Sequence, residues 1–287
     1  MPNSSEPGVA PVVWARGLHT GSGETLDVIA YDRYLGRWSR LFLPALLQGA
    51  EIGPRDRVLD VGTGPGDGAI AVRDVVGGGG VVIGCDVAMA MVRAAHDRAQ
   101  GTFAVVTGDA QRLPFGDGAF DAVVCQLGLM FFPNPGDALI EFARVVRPGG
   151  RVAVGVVSTA ARAPMWGVLA GVLSDHLPAQ HDAFHQSFSL ADPVGLLELF
   201  KEAGYGDAQV TRQLRDSVFE SMDDYWVPIE RGVGQLPHAY RCLPDRVRRR
   251  VHDEVNDRLS AYWDGHCLVM SVEVLIATGH VQPHGVR

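Results

Sequence analysis

Arg57-Val58-Leu59-Asp60-Val61-Gly62-Thr63-Gly64-Pro65-Gly66-Asp67-Gly68-Ala69-Ile70-Ala71 is the stretch on which the reading of this chain turns. Val58 to Val61 is a short apolar strand interrupted only by Asp60. The chain then turns through Gly62, Gly64 and Gly66 and resumes as a small-residue helix. A strand that runs through alternating glycines into a helix lets a ligand lie on bare backbone. Side chains are absent there, and the first N–H groups of the helix are free. Alone, the turn is unspecific, because Gly64 to Ala69 also satisfies the G-x-G-x-x-G/A dinucleotide fingerprint.

Working outward, further strands and helices alternate. Val81 to Cys85, ending at Asp86, Phe103 to Thr107, Phe120 to Gln126 and Arg151 to Val157 read as short apolar strands. Met89 to Gln100 and Asp137 to Val146 read as the intervening helices, the latter stopped by Arg147-Pro148-Gly149-Gly150. Near-continuous apolar strands separated by helices predict a parallel sheet covered on both faces. Beyond it, Met165 to Leu177 reads as helix and His181 to Phe188 is ambiguous. Asp192 to Ala203 is a helix with Asp192 as its cap and Pro193 in the first turn. Asp207 to Arg212 reads as strand, Met222 to Tyr262 as mostly helical, and Cys267 to Thr278 as a long last strand. Before the core, Thr25 to Leu47 is amphipathic and helical, with Gly36 expected to split it in two. Met1 to Glu24 is rich in Pro, Ser and Gly and is expected to be a mobile tail.

Composition narrows the partners. Lys+Arg 25 against Asp+Glu 33 gives a net charge of −8, which argues against nucleic acid or an anionic membrane as partner. The basic cluster Arg246, Arg248, Arg249 and Arg250 is followed by Asp253, Glu254 and Asp257, as on a solvated helix face. Cys85, Cys125, Cys242 and Cys267 form no CxxC pair, so free thiols in a reducing cytoplasm are expected. No apolar run approaches the ~18 residues of a membrane span.

Four stretches in register resemble the class I S-adenosylmethionine (SAM)-dependent methyltransferases, in the branch of ubiquinone/menaquinone-biosynthesis and small-molecule enzymes. They are VLDVGTGPGDGA (58–69), VIGCDVAMAMV (82–92), GDAQRLPFGDGAFDAVVCQLGLMFF (108–132) and RVVRPGGRVAV (144–154). The resemblance implies a Rossmann-like, seven-stranded, mostly parallel α/β sheet with an antiparallel last strand and a helical lid. It divides the chain into a 1–24 tail and one domain over 25–287. Within that domain, 25–50 would be lid, 55–158 the SAM-binding core, and 159–190 and 214–265 substrate-side elaborations. It also implies that Gly62, Gly64 and Gly66 line the amino-acid and ribose part of SAM and that Asp86 binds ribose. Val87 and Met91 would flank adenine, Asp109 and Ala110 would read its edge, and Gln126 would touch the cofactor. YDRYLGRWSR (31–40) resembles the lid of the same branch, which would close Tyr31, Trp38 and Ser39 over the methionine end; a core aromatic pair with solvated arginines is the plainer reading.

Charge supports SAM over a dinucleotide. Asp60 beside the glycine turn would repel a pyrophosphate but suits an ammonium and a sulfonium. Asp86, 24 residues after Gly62, serves either ligand. Asp60 and Asp109 as mere turn caps is the alternative. For the acceptor side, His176, His181 and His185 are candidate bases, needed only if the nucleophile must lose a proton. A metal is not expected, because no cysteine or carboxylate pattern completes the histidines. The expected activity is methyl transfer to an O, N or C nucleophile of a small, apolar or aromatic molecule, with a homodimer left open. Two other readings stand: a SAM-binding protein that catalyses a rearrangement or only binds, and an NAD(P)-dependent oxidoreductase.

Overall fold

The computed structural model describes residues 27–231 and 234–282. The tail expected over 1–24 lies outside them. One seven-stranded sheet runs in the order β3-β2-β1-β4-β5-β7-β6. The strands are β1 (Arg57–Val61), β2 (Val81–Asp86), β3 (Ala104–Thr107), β4 (Phe120–Gln126), β5 (Val146–Val157), β6 (Tyr205–Phe219) and β7 (Leu268–Val281). Strands β1 to β5 pair in parallel, whereas β7 is antiparallel to both β5 and β6.

The central strands are apolar on both faces because helices cover both. Val58, Leu59 and Val61 of β1, Val123 and Val124 of β4, and Val152, Ala153 and Val154 of β5 are all buried. Side-chain oxygens fix where several helices begin. Asn134 accepts from the Asp137 N–H ahead of Pro135, and Asp192 accepts from the Val194 and Gly195 N–H groups ahead of Pro193. Ser221 caps Met222–Glu230 in the same way. Each such cap contributes about 1 kcal/mol.

Three local expectations change. Gly36 does not divide the first helical stretch. Its backbone is right-handed helical, and the chain runs through Asp32–Gly36 as one wide turn of π-helix. What Gly36 supplies is room, since a Cβ there would stand 2.8 Å from both Asp32 Oδ1 and Arg40 Nη1, which bond to each other. Second, β6 continues past Arg212 to Phe219, in unbroken register with β7 from Gln209 onward. As an edge strand it meets water, so its outer half lacks the apolar run that marks an inner strand. Residues 214–219 therefore belong to the sheet, and the insertion comprises 220–267. Third, β5 begins at Val146, ahead of the Arg147–Gly150 turn expected to precede it, while the insertion is mostly helical as expected, with Met222–Glu230, Gln235–Arg241 and Asp245–Leu259 among the described residues. The ambiguous segment after the fifth strand is a short helix, His181–His185, and a 3-10 turn, Gln186–Phe188.

Candidate active site

The parallel registers bring the ends of β1, β2, β3 and β4 side by side, so Gly62, Asp86, Gly108 and Gln126 emerge along one edge of the sheet. This is where the chain reverses from β1 toward β4, and open α/β sheets bind ligands in the crevice there. A cleft lies along that edge. Tyr31, Ser39, Asp60, Gly62, Gly64, Asp86, Val87, Met91, Asp109, Ala110 and Gln126 all line it.

The glycine turn is held open from beneath. Gly62 and Thr63 donate their N–H groups to the Cys85 carbonyl at 2.8 and 3.1 Å. Gly62 and Gly64 have φ of +68° and +54°, a region that side chains rarely adopt. Asp86 fixes the turn from β2. Its two oxygens accept from the Gly64 N–H and the Ala88 N–H, each at 2.9 Å. Asp60 is almost wholly buried below the turn. One of its oxygens accepts from the Thr63 hydroxyl at 2.6 Å, and the other, Oδ1, has no partner. Burial pushes this carboxyl up to about 7, against the opposing Thr63 hydrogen bond. Its niche needs glycine on two sides, because a Cβ at Gly68 would press on its Oδ2 and one at Gly84 on Thr63.

The N-terminal helical segment read as a lid, described from Val28 to Gly49, borders one side of the cleft. A Cβ at Gly64 would lie 3.3 Å from the Tyr31 hydroxyl, so this tyrosine stands directly over the turn. Burial, reinforced by Asp67, Asp86 and Asp32, raises the Tyr31 pKa and keeps the phenol protonated. Gln126 donates to the Ser39 carbonyl at 3.1 Å and ties the end of β4 to the lid. Salt bridges hold the lid from outside. Arg40 bonds Asp67 at the start of the helix after the turn, and Arg37 grips Asp224 of the insertion with two bonds of 2.6 and 2.8 Å.

Two residues expected at the cofactor are placed elsewhere. Trp38 points into the core, 1% exposed, and packs edge-on against Trp166. Gly66 is absent from the lining. It is the left-handed cap of the following helix, and a Cβ there would crowd Phe103 and Ala95. The three histidines are also outside the lining. His176 bonds Glu254 at 3.0 Å across the outer helices, while His181 and His185 stack on each other with ring centroids 4.1 Å apart. The helix Pro164–His176 brings Trp166 to the cleft, and His176 lies about 15 Å further along its axis. Among the described residues, no group of three or more His, Cys, Asp or Glu side chains stands together as a metal site would require.

Sequence reading did not single out Tyr34, Leu35, Phe131, Phe132, Ser187 or Gly234 to Pro237, which also line the cleft. The aromatic residues of the insertion are not its contribution to the wall. Trp226 stacks on His252 and meets Tyr240 at a tilt, and Trp263 is exposed. The insertion reaches the cleft instead with Gln235, Leu236 and Pro237.

Comparison with known proteins agrees with this geometry. A family model described as a methyltransferase domain matches residues 59–154. A demethylmenaquinone methyltransferase from Beutenbergia cavernae is 36% identical over 179 residues, covering 58% of this chain and 71% of that protein. The chain belongs to the class I SAM-dependent methyltransferases. The demethylmenaquinone methyltransferase of Mycobacterium marinum is 37% identical over 153 residues, covering 53% of this chain and 59% of the relative. Among solved structures, the YcgJ protein from Bacillus subtilis matches with a TM-score of 0.57 at 23% identity, over 84% of this chain and 98% of that one. The Haemonchus contortus phosphoethanolamine N-methyltransferase 2, solved with S-adenosyl-L-methionine, matches with a TM-score of 0.60 at 17% identity, over 96% of this chain and 61% of that one. At such identities the structural matches speak for the fold. The methyltransferase's methyl donor is SAM, and no helix among the described residues is long and apolar enough to cross a membrane.

Proposed function

We propose that this methyltransferase methylates a small, uncharged, hydroxylated aromatic molecule of the quinol or phenol type. The observation that carries the proposal is the distribution of charge in the cleft. Asp60, Asp67, Asp86 and Asp109 line it around the glycine turn, Leu35, Phe131, Phe132, Trp166, Leu236 and Pro237 wall it elsewhere, and no Lys or Arg is among its described lining residues. An anionic acceptor would find no Lys or Arg in that lining to hold it, since Arg40 and Arg98 are already engaged with Asp67 from outside. A flat apolar one gains from the aromatic wall. Demethylmenaquinone methyltransferases as relatives point to the same chemistry.

The buried unpartnered Asp60 Oδ1 and the bare Gly62–Gly64 backbone fit the cationic amino-acid end of SAM, with Tyr31 and Ser39 above it. Asp86 would hold the ribose, Val87 and Met91 would flank adenine, and Asp109 with the Ala110 N–H would read its edge. SAM supplies a methyl group already activated on a sulfonium. What the protein must add is position, a nucleophile about 3–3.5 Å away and in line, and exclusion of water. The tyrosines of the cleft are held protonated, so they orient and do not deprotonate. That arrangement suits a nucleophile acidic in itself, or a ring carbon activated by its own hydroxyl.

The test is to incubate the protein with SAM and, separately, a demethylated naphthoquinol, a simple phenol and phosphoethanolamine. S-adenosylhomocysteine and a product heavier by one CH2 should appear with the aromatic acceptors. Transfer to phosphoethanolamine alone would refute the proposal.

A further inference from the structure

Tyr34 carries a hydroxyl that the fold leaves without a partner. The residue is 2% exposed, its oxygen bonds nothing, and its side chain borders the cleft. Buried hydroxyls are nearly always paired, so such an orphan calls for a ligand to complete it. Its neighbours are already engaged. The Tyr34 carbonyl takes the Trp38 indole N–H at 3.1 Å, and the Tyr225 hydroxyl donates to the Met165 carbonyl at 3.0 Å. Burial keeps the Tyr34 phenol protonated, so it offers a donor. Its place on the lid separates it from Tyr31. Tyr31 covers the glycine turn, whereas the π-helical turn carries Tyr34 toward the insertion, where Met222–Glu230 packs on the lid.

We infer that Tyr34 is the residue that positions the methyl acceptor, donating its hydroxyl proton in a hydrogen bond to an oxygen carried on the acceptor's ring. The inference rests on the aromatic-acceptor reading and adds to it a requirement for a ring oxygen. In a wall made largely of apolar side chains, a fixed buried donor selects for such an oxygen and sets the angle at which the ring meets the methyl group.

The test uses two ligands that differ only in that oxygen, naphthol and naphthalene, titrated into the whole chain saturated with S-adenosylhomocysteine. Naphthol should bind about 5- to 10-fold more tightly to the wild type. In Tyr34→Phe the two affinities should converge, with S-adenosylhomocysteine binding unchanged. Tyr225→Phe serves as the structural comparison, since it removes the bond to Met165 and should lower the melting temperature while preserving the naphthol preference. A preference that survives in Tyr34→Phe would overturn the inference. So would equal binding of both ligands to the wild type, a result that needs no variant to fold. If neither ligand binds the wild type, the aromatic-acceptor reading fails and this inference with it.

Discussion

Replacing Asp60 by Asn removes a charge from a place that water does not reach, and the structure sets both the sign and the size of the effect. In the unfolded chain this carboxyl titrates near its ordinary 3.8; in the fold, burial lifts it to about 7. Below about pH 4 both states carry the proton and the group is neutral to stability. Between about pH 4 and 7 the folded protein holds a proton that the unfolded chain has released. Folding stability therefore falls as pH rises, by about 1.4 kcal/mol per pH unit, and the fall levels off above about pH 7. The whole effect is on the order of 4 kcal/mol. Asn does not titrate. Its amide oxygen can keep the Thr63 bond, and its NH2 group then stands where Oδ1 now has no partner, at a pH-independent cost of about 1–3 kcal/mol. The stability of Asp60→Asn relative to wild type should thus rise by roughly 3 kcal/mol between about pH 4.5 and 8. Urea unfolding of both proteins at each pH measures it, and other titrating groups cancel in the difference. Cofactor binding should move the opposite way, with SAM bound about ten- to hundred-fold more weakly by the variant at neutral pH, because the proposed charge-assisted bond to the ammonium would be lost. Stability curves that stay parallel across this pH range would refute the reasoning.

Three further outcomes follow from the same geometry. Asp86→Ala strips the acceptor from the Gly64 and Ala88 N–H groups as well as the proposed ribose contact. SAM dissociation should rise about ten- to hundred-fold by calorimetry, and an unchanged constant in a folded variant would remove Asp86 from the site. Gly64→Val places a branched side chain at φ +54° and against the Tyr31 hydroxyl. SAM binding should be abolished while far-ultraviolet dichroism keeps the helix and sheet signal. Arg37→Ala breaks both hydrogen bonds to Asp224 and the contact with the Phe219 ring, about 1–2 kcal/mol of lid anchoring. Faster proteolysis within 28–49, slowed again by S-adenosylhomocysteine, is the expected result, and wild-type proteolysis rates would count against the latch.

The parallel half of the sheet was readable because its information is local. Val58 to Val61 or Phe120 to Gln126 need only their own apolar residues to announce a buried strand, and each glycine or acidic residue at a strand end announces the crevice. The outer parts were less readable for a different reason. The edge strand β6 keeps its register by pairing with β7, not by apolar alternation, so QLRDSVF (213–219) carries no strand signature of its own. Gly36 looked like a breaker because glycine propensity is a weak local prior; contacts of Tyr34, Trp38 and Phe42 with the core hold the helix together through it. Trp38 and Gly66 illustrate a further limit. Tryptophan on a lid and glycine in a turn are equally good at packing and at facing a ligand, and only the three-dimensional neighbours, Trp166 and Phe103, decide between the two.

The pairing of β6 with β7 has a consequence for how this enzyme acquires its preferences. Phe219 and Leu268 are register partners, so the segment between them leaves the sheet and returns to it at a single rung of the ladder. Everything the insertion adds to the cleft, including Leu236 and Pro237, enters through that one gate. A hairpin turn spliced across the rung would keep every strand in register and every residue of the glycine turn in place. The part of the cleft lining that the insertion supplies is thus joined to the sheet as one exchangeable segment. Chimeras that swap 220–267 between related methyltransferases but keep Asp224, the partner of Arg37, should change which molecule is methylated while donor binding is retained.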